Sequence, residues 1–380
     1  EELADLRKPT GVAGEAMLRA NNVPDQAELL GYRQSNVLIN GSFEIAQRGT
    51  TITGVDNGDY TLDRWKIIAS STAVFTATQS TDTPNGFAHS LKLDVSTADS
   101  SVAAADYCML NQPIEGNNIL PFASGTTAAK AHTLSFWVKS NVTGTYVAGL
   151  RYNTAGTNSG QSYTINTANT WEYKTVVLPP QTTNAPNYDN TEELGLYFWL
   201  LAGTTYTGGA ALNTGWSTTN NTRAVGQVNL TASTANEFLI TGTQLVAGSY
   251  PDGLPFKHQS YGEELAACQR YYTQMGAGTD RLVGYGFAWN STEVNVEAHL
   301  PQVLRASPTV TFSNNSNDFQ FMPYNCNFST FTAGQFWSSE IGNRINLYKS
   351  GGLSTSLTQG QSGYVRFMNS TSKIAFDAEL

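Results

Sequence analysis

The chain carries few charged residues. Asp, Glu, Lys and Arg make up 13% of its 380 residues, whereas globular proteins average about 25%. Lys and Arg number 21 against 30 Asp and Glu, which gives a net charge of −9. Proteins that bind nucleic acid need clustered basic residues, so this composition argues against nucleic acid as a partner.

Long apolar runs are also missing. No stretch of the sequence approaches the roughly 20 apolar residues that a membrane-crossing helix needs. No charged-then-apolar signal segment opens the sequence either. We therefore expect no membrane insertion.

Cysteine is scarce. Cys108, Cys268 and Cys326 are odd in number, far apart, and flanked by apolar or aromatic residues. Isolated cysteines in such surroundings behave as small hydrophobic residues. We expect buried free thiols rather than a disulfide framework.

The motifs of catalytic, metal and cofactor sites are missing from the sequence. It contains no nucleophile elbow, phosphate loop or dinucleotide fingerprint. The four histidines stand too far apart in sequence to suggest a zinc site: His89, His132, His258 and His299. A glycosidase needs only two facing carboxylates, and the obvious candidates resemble solvated charges: Glu192, Glu193, Glu237, Glu263 and Glu264. We expect no enzymatic activity, no cofactor and no metal.

The residues that are plentiful indicate an all-β protein. Thr, Asn, Ser and Gly are frequent, and Phe, Trp and Tyr together reach 11%, a mixture that suits β-sheets with polar outer and aromatic inner faces. Short apolar or alternating runs between Gly, Asn and Asp clusters predict antiparallel strands. The runs of the first part are 64–68, 91–95, 134–138, 146–152, 171–178, 194–200, 227–231 and 237–246. Those of the last part are 294–300, 308–312, 319–322, 344–348, 364–367 and 373–380.

One amphipathic helix interrupts this β pattern, in the stretch PFKHQSYGEELAACQRYY at 255–272. Ser260 followed three residues later by Glu263 is a capping box. Apolar residues then recur at helical spacing from Leu265 to Met275, and Gly276 is a typical residue just past a helix end. We expect a connector helix at 258–276 that closes one β module and leads into the next.

The first 36 residues differ from the rest and predict short, individually marginal helices. Such helices need a partner surface, so residues 1–36 are a candidate docking segment; the alternative is a poorly ordered terminus. The candidate contact residues are Leu3, Leu6, Met17, Leu18, Leu29 and Leu30.

Aromatic residues in polar loops are the candidate carbohydrate-binding residues. Flat rings stack on the CH faces of sugars, and loops on a rigid sandwich often carry function. The candidates are Tyr206 and Trp216 in the loop at 202–223, together with Trp289 and Trp337 in the last module; the alternative for each is a core-capping or interface role. The tryptophans inside apolar strands are expected in the core: Trp65, Trp137 and Trp199.

Several segments resemble a family of phage proteins. LVAGSYPDGLPFKHQSYGEELAACQRYY (245–272) is similar to the segment that ends the carbohydrate-binding-module-like jelly roll of bacteriophage tail fibres and related appendage proteins. NVLINGSFEIAQRGT (36–50), YTLDRWKI (60–67) and LSFWVKS (134–140) resemble earlier parts of the same module. KIAFDAEL (373–380) with LRASPTVTF (304–312) resembles the small module that often follows it.

The resemblance implies a virion protein made in the host cytoplasm. We expect a jelly-roll β-sandwich at 37–257, the connector helix at 258–276 and a smaller C-terminal β-sandwich module at 277–380. The implied function is that of a tail fibre that attaches to host-surface polysaccharide or lipopolysaccharide, as a homotrimer, with residues 1–36 bound to other virion proteins. One alternative is a head fibre or capsid decoration without essential glycan binding, and a second is a glycan depolymerase.

Overall fold

The structure is a computed structural model that describes residues 35–276, 279–313, 315, 317–323, 329–332, 335–341 and 343–380, with 335–341 described by their backbone alone. Nearly all of the predicted docking segment, including its six candidate contact residues Leu3, Leu6, Met17, Leu18, Leu29 and Leu30, lies outside these ranges, as does Cys326. Within them, Cys108 and Cys268 are buried free thiols, as predicted.

The first module is a jelly-roll β-sandwich of two antiparallel sheets, as the strand pattern predicts. Its strands are β1 (Thr51–Val55), β2 (Lys66–Ser70), β3 (Val74–Ser80), β4 (Ser90–Thr97), β5 (Tyr107–Glu115), β6 (His132–Ser140), β7 (Gly144–Tyr152), β8 (Thr157–Ile165), β9 (Glu172–Leu178), β10 (Glu192–Ala202) and β11 (Glu237–Ala247). A six-stranded sheet has the order β1-β3-β4-β11-β6-β9, and a five-stranded sheet has the order β2-β5-β10-β7-β8.

Side-chain alternation builds the core between these two sheets. In β4, Leu91, Leu93 and Val95 are buried, whereas Lys92 and Asp94 between them are partly exposed. Successive side chains of a strand point to opposite faces, so one face of each strand enters the sandwich. Each fully buried aliphatic side chain contributes about 1.5–3 kcal/mol to folding.

Trp65 lies in this core, as predicted from its apolar surroundings. Its ring is fully buried and lies 5.2 Å from the ring of Phe43 and 6.4 Å from that of Phe198. The indole Nε1 donates a hydrogen bond of 3.1 Å to the carbonyl oxygen of Asn40. The polar edge of a buried tryptophan needs such a partner, and the opening segment of the module supplies it.

The second module is also all β. Its strands are β12 (Tyr272–Gly276), β13 (Leu282–Asn290), β14 (Glu293–His299), β15 (Thr309–Phe312), β16 (Phe319–Pro323), β17 (Ser329–Phe331), β18 (Gln335–Ile341), β19 (Arg344–Ser350), β20 (Ser362–Phe367) and β21 (Lys373–Asp377). A three-stranded sheet has the order β12-β21-β15, and a seven-stranded sheet the order β17-β16-β20-β13-β14-β19-β18. A second apolar core includes residues of both sheets, among them Val296, Phe319 and Phe376.

The connector helix is shorter than the predicted range of 258–276. The helix spans Tyr261–Gln269 with the predicted capping box between Ser260 and Glu263, and β12 follows almost at once. The first residue of β12, Tyr272, pairs with Asp377 of β21. Pairing with a strand about one hundred residues later overrides the local helical pattern, so the second module begins near Tyr272 rather than at 277.

One other local prediction of the first module is wrong. The predicted strand at 227–231 is instead a loop that ends in a short 3-10 helix, Leu230–Ala232. Strand propensity in so short a run depends on its surroundings.

The end of the chain folds back onto the jelly roll and forms a contact that we call the C-terminal clasp, residues 377–380 with their partners in the first module. The Glu379 carboxylate forms ion pairs with Arg64 and with Arg48, the latter at 3.3 Å. Lys66 donates a hydrogen bond of 2.6 Å to the carbonyl oxygen of Leu380. The clasp therefore ties the second module to the strands of the first.

No helix within the described residues is long and apolar enough to cross a bilayer.

Candidate functional site

The outer face of the five-stranded sheet carries a cleft. In β10, Leu196 and Phe198 point into the sandwich core, whereas Tyr197 and Trp199 point to the opposite face. The outward residues form a second, smaller apolar cluster that includes Met109 of β5. This face is therefore apolar where a solvated sheet face is usually polar.

A long loop, residues 203–229, covers part of this face, and we call it the covering loop. Backbone hydrogen bonds hold it down: the amide of Gly203 donates to the carbonyl of Asp106 at 2.7 Å, and that of Val228 donates to Thr145 at 2.9 Å. At Gly203 an added Cβ atom would lie 2.1 Å from the carbonyl oxygen of Ala103, so only glycine fits where the loop leaves the sheet.

Between the covering loop and the sheet lies the cleft, with a volume of about 400 Å³. Small-ligand sites commonly have volumes of roughly 300–1,000 Å³. Its lining combines aromatic, amide, hydroxyl and guanidinium groups: Ile68, Tyr107, Met109, Arg151, Gly156, Asn158, Tyr197, Trp199, Tyr206, Thr218, Asn220 and Arg223. The set offers ring faces and hydrogen-bonding groups together.

Three aromatic rings form a connected wall of the cleft. The ring of Tyr206 lies 5.5 Å from that of Tyr107 with an interplanar angle of 78°, and 5.4 Å from that of Trp199. Tyr107 and Tyr206 are partly exposed, whereas Trp199 is buried beneath them. Burial raises the pKa of Tyr206, so its hydroxyl stays protonated near neutral pH.

Two arginines complete the lining. The guanidinium of Arg223 lies 5.3 Å from the ring centroid of Trp199 and 5.9 Å from that of Tyr206, within range of cation–π attraction. Burial, and secondly the positive charge of Arg151, lowers the pKa of Arg223. The Nε atom of Arg151 is buried without a hydrogen-bond partner.

The predicted carbohydrate-binding residues lie in different parts of the structure. Tyr206 lines the cleft, as described above. Trp289 lies on β13 of the second module, 56% exposed and 6.1 Å from the ring of Phe287. Trp337 is in β18, where its backbone pairs with Asn346, and its side chain lies outside the described part of the structure. Tyr206 and Trp289 therefore lie in different modules.

Trp216 lies against the core of the jelly roll, not among the cleft-lining residues. Its ring is 5.1 Å from that of Tyr152 and 5.6 Å from that of His132. Its Nε1 donates a hydrogen bond of 3.0 Å to the carbonyl oxygen of Pro179. The ring is part of the packing that holds the covering loop to the sandwich, which agrees with the core-capping alternative, and its role in glycan binding stays a prediction.

His132 is the centre of this packing. Its ring is fully buried, its Nδ1 lies 3.2 Å from the Pro179 carbonyl oxygen, and its Nε2 lies 2.9 Å from the hydroxyl of Tyr152. A neutral ring that donates from Nδ1 and accepts at Nε2 satisfies both contacts. Burial lowers the pKa of His132 to about 3.

This lowered pKa predicts acid sensitivity. The unfolded chain binds a proton at His132 below about pH 6.5, whereas the folded chain does so only near pH 3, so stability is full above about 6.5 and falls as pH decreases. We expect the contribution of His132 to the unfolding free energy, taken as the difference from His132→Phe in urea titrations, to fall with a slope approaching 1.4 kcal/mol per pH unit, about the value for one proton, between about pH 6 and 4.5.

The matched variants for this titration are His132→Phe and His299→Phe. His132→Phe should flatten the slope in that range. His299→Phe is the surface control, since the His299 side chain is 65% exposed. An unchanged slope in a folded His132→Phe variant would contradict the assignment.

The prediction that Trp137 lies in the core is wrong. Its side chain is partly exposed and lines a second depression, of about 560 Å³, with Phe87, Tyr173 and Phe256. The depression lies against the segment that leads to the connector helix. Its position on the outward face of β6 follows from side-chain alternation, since Phe136 and Val138 are the buried neighbours.

The side chains of four of the five acidic residues singled out from the sequence have partners among the described residues. Glu193 is buried and accepts a hydrogen bond of 2.6 Å from the hydroxyl of Thr154, and Glu237 forms a 2.8 Å ion pair with Lys92. Glu263 belongs to the capping box, and Glu264 accepts a hydrogen bond from the amide of Asn40. Within the described ranges, no group of three or more His, Cys, Asp or Glu could hold a metal ion.

Most of the cleft residues were missed from the sequence. Arg151 in the run YVAGLRY was the available signal, because a charged residue in an apolar strand marks an outward position. The sequence does not distinguish Tyr197 and Trp199 from core residues. In a run such as LGLYFWL, aromatic residues that face a covering loop look the same as those that face the sandwich core. Finding the cleft requires knowing where the covering loop lies.

Comparison with known proteins gives only distant similarities. No family model matches the chain, and no curated protein matches it. Among solved structures, the enzymatically active domain of tailspike protein 4 of bacteriophage CBA120 is 17% identical with a TM-score of 0.31, over 56% of this chain and 21% of that one. This chain thus spans about a fifth of that domain.

Two carbohydrate-binding modules are similar at the same level. TmCBM61, solved in complex with beta-1,4-galactotriose, is 10% identical with a TM-score of 0.29, over 56% of this chain and 99% of that one. The family 11 module of a cellulosomal cellulase of Clostridium thermocellum is 11% identical with a TM-score of 0.26, over 51% and 94%. At TM-scores this low, the similarities carry no functional argument.

Proposed function

We propose that this chain is a glycan-binding protein of a virion appendage, a tail fibre that attaches to the host surface, and that the cleft is its binding site. The observation that carries the proposal is the lining of the cleft. It combines the partly exposed rings of Tyr107 and Tyr206 with amide and guanidinium groups. Ring faces suit the apolar faces of sugars, and the polar groups suit their hydroxyls.

The virion part of the proposal is supported by the sequence resemblance of 36–50 and 245–272 to phage tail-fibre modules. In this proposal the chain is not an enzyme. The described lining of the cleft contains no Asp or Glu, whereas glycoside hydrolysis in most families uses a pair of carboxyl groups. Residues 1–36 would bind another virion protein, and assembly into a homotrimer would multiply weak single-site binding into useful avidity.

Tyr206→Ala tests the proposed site. We expect the variant to fold normally and to bind intact host cells at least tenfold more weakly, because it loses the ring that forms the exposed wall of the cleft; tenfold corresponds to about 1.4 kcal/mol. The measurement is a binding titration of fluorescently labelled protein on host cells, with and without periodate oxidation of the surface glycans.

The matched control for this experiment is Tyr188→Ala. Tyr188 is 42% exposed and lies outside the cleft lining, so its loss should leave binding unchanged. Trp289→Ala tests another predicted position, in the second module. Binding that resists periodate, or that is lost with Trp289 and retained without Tyr206, would contradict the proposal.

A further inference from the structure

The two arginines of the cleft form no ion pair with an acidic side chain among the described residues. The described arginine salt bridges involve other arginines: Arg48, Arg64, Arg270, Arg344 and Arg366. Neither Arg151 nor Arg223 is in an ion pair among the described residues, although the whole chain has a net charge of −9. This part of the surface therefore differs in sign from the protein as a whole.

The sequence around the cleft keeps this charge uncompensated. The covering loop, residues 203–229, contains no Asp or Glu and one basic residue, Arg223. The nearest acidic residue in sequence, Asp106, precedes Tyr107 and uses its carboxylate to accept a hydrogen bond of 2.7 Å from the amide of Ala103. No described cleft-lining residue is acidic.

The two guanidinium groups also act on each other. The charge of Arg151 disfavours the charged form of Arg223, in addition to the effect of burial. Two partly buried, like charges without counter-charge destabilise the empty site. The rings of Trp199 and Tyr206 offset part of this cost for Arg223 through cation–π contact. Arg151 has no such contact in the described structure, and its Nε atom has no hydrogen-bond partner.

An anionic ligand group would relieve this repulsion. Guanidinium groups bind carboxylate and phosphate through paired, charge-assisted hydrogen bonds. A ligand that placed one such group between Arg151 and Arg223 would neutralise their charges and accept hydrogen bonds from their guanidinium groups. The neighbouring rings of Tyr107 and Tyr206 would then contact the uncharged part of the same ligand.

We propose that the cleft selects acidic glycans, that is, sugars bearing a carboxylate, phosphate or sulfate group that Arg151 and Arg223 bind together. This inference rests on the proposed glycan-binding function and names the ligand class of that site. The shared chemistry is a single anionic group on a sugar ring, whichever of the three groups supplies it.

The experiment begins with the full chain on a printed array of neutral, carboxylated, phosphorylated and sulfated oligosaccharides. We expect the bound members to be acidic, and the array identifies which anionic group is preferred. Calorimetry then compares the best acidic oligosaccharide with a counterpart in which the anion is removed, by carboxyl reduction, dephosphorylation or desulfation. Removal of the anion should weaken binding roughly tenfold to hundredfold, the range for hydrogen bonds to charged groups.

Charge-neutral variants connect this loss to the two side chains. Arg151→Gln and Arg223→Gln should each weaken binding of the acidic oligosaccharide at least tenfold and should have little effect on its neutral counterpart. Arg344→Gln is the matched control, because it removes the same charge from a side chain that is 52% exposed in the second module. Unfolding temperatures of the variants show whether the fold is intact.

Two results would overturn the inference, and they differ in what they imply for the proposed function. If only neutral oligosaccharides bind, with affinity lost in Tyr206→Ala and unchanged in both arginine variants, the ligand class is wrong and the glycan site remains. If no member of the array binds to the folded chain, the proposed function fails with it.

Discussion

Replacing Glu379 by alanine is expected to lower the free energy of unfolding by about 3–5 kcal/mol, the cost of leaving one partner of a buried ion pair without the other. The side chain of Glu379 is 4% exposed and pairs with that of Arg64, which is 1% exposed.

The C-terminal clasp supplies the counter-charge of Arg64. Burial alone would lower the pKa of its guanidinium, but the Glu379 carboxylate opposes that effect, and the pKa is raised on balance. The guanidinium also lies 3.5 Å from the ring centroid of Tyr271 and donates a hydrogen bond of 2.7 Å to the carbonyl oxygen of Pro113. Without Glu379, those contacts would have to hold a buried cation by themselves.

The measurement is urea unfolding followed by tryptophan fluorescence, with calorimetry to resolve the two modules. The matched control is Glu297→Ala, because Glu297 pairs with His299 and Arg344 but its side chain is 43% exposed; such surface pairs contribute about 0–1 kcal/mol. The double variant Arg64→Met with Glu379→Leu should recover most of the loss, since apolar replacement of a buried pair is often neutral. If Glu379→Ala lowered the free energy of unfolding by less than 1 kcal/mol, the assignment of a buried ion pair would be contradicted.

The strands of the jelly roll could be predicted because their signal is local. Alternation in LKLDV places Leu91 and Leu93 on one face, and the two-sided burial of LGLYFWL fits a central strand of a covered sheet. The clasp could not be predicted in the same way. Arg64 and Glu379 are separated by almost the whole chain, and each looks like an ordinary surface charge in its own segment.

The candidate site was predictable only in part, and for a similar reason. Tyr206 was identified because an aromatic residue in a loop of Gly, Thr and Asn is conspicuous. Trp216 is equally conspicuous in the same loop, yet its ring packs on the core. The two residues differ in which part of the sheet the loop places them against, and that depends on hydrogen bonds such as the one between Ser217 and Asn158 at 3.0 Å.

Trp216→Ala therefore separates a packing role from a binding role. We expect it to lower the free energy of unfolding by about 2–3 kcal/mol, somewhat less than the 3–5 kcal/mol typical of a fully buried tryptophan, because the ring is only partly buried. The loss removes the contacts with Tyr152 and His132 and leaves the carbonyl of Pro179 with one donor fewer. Glycan affinity of the folded variant, measured at low temperature, should stay within about threefold of the parent.

Trp216→Phe provides the matched variant, since it keeps most of the apolar contact and removes only the indole donor. It should cost about 1 kcal/mol, the usual net value of one hydrogen bond. If Trp216→Ala instead retained full stability and lost glycan binding tenfold or more, the ring would act on the ligand, and the binding site would have to extend beyond the cleft at Tyr206. Tyr206 and Trp216 belong to the same loop. Comparison of their alanine variants therefore shows which part of the covering loop stabilises the fold and which part binds the ligand.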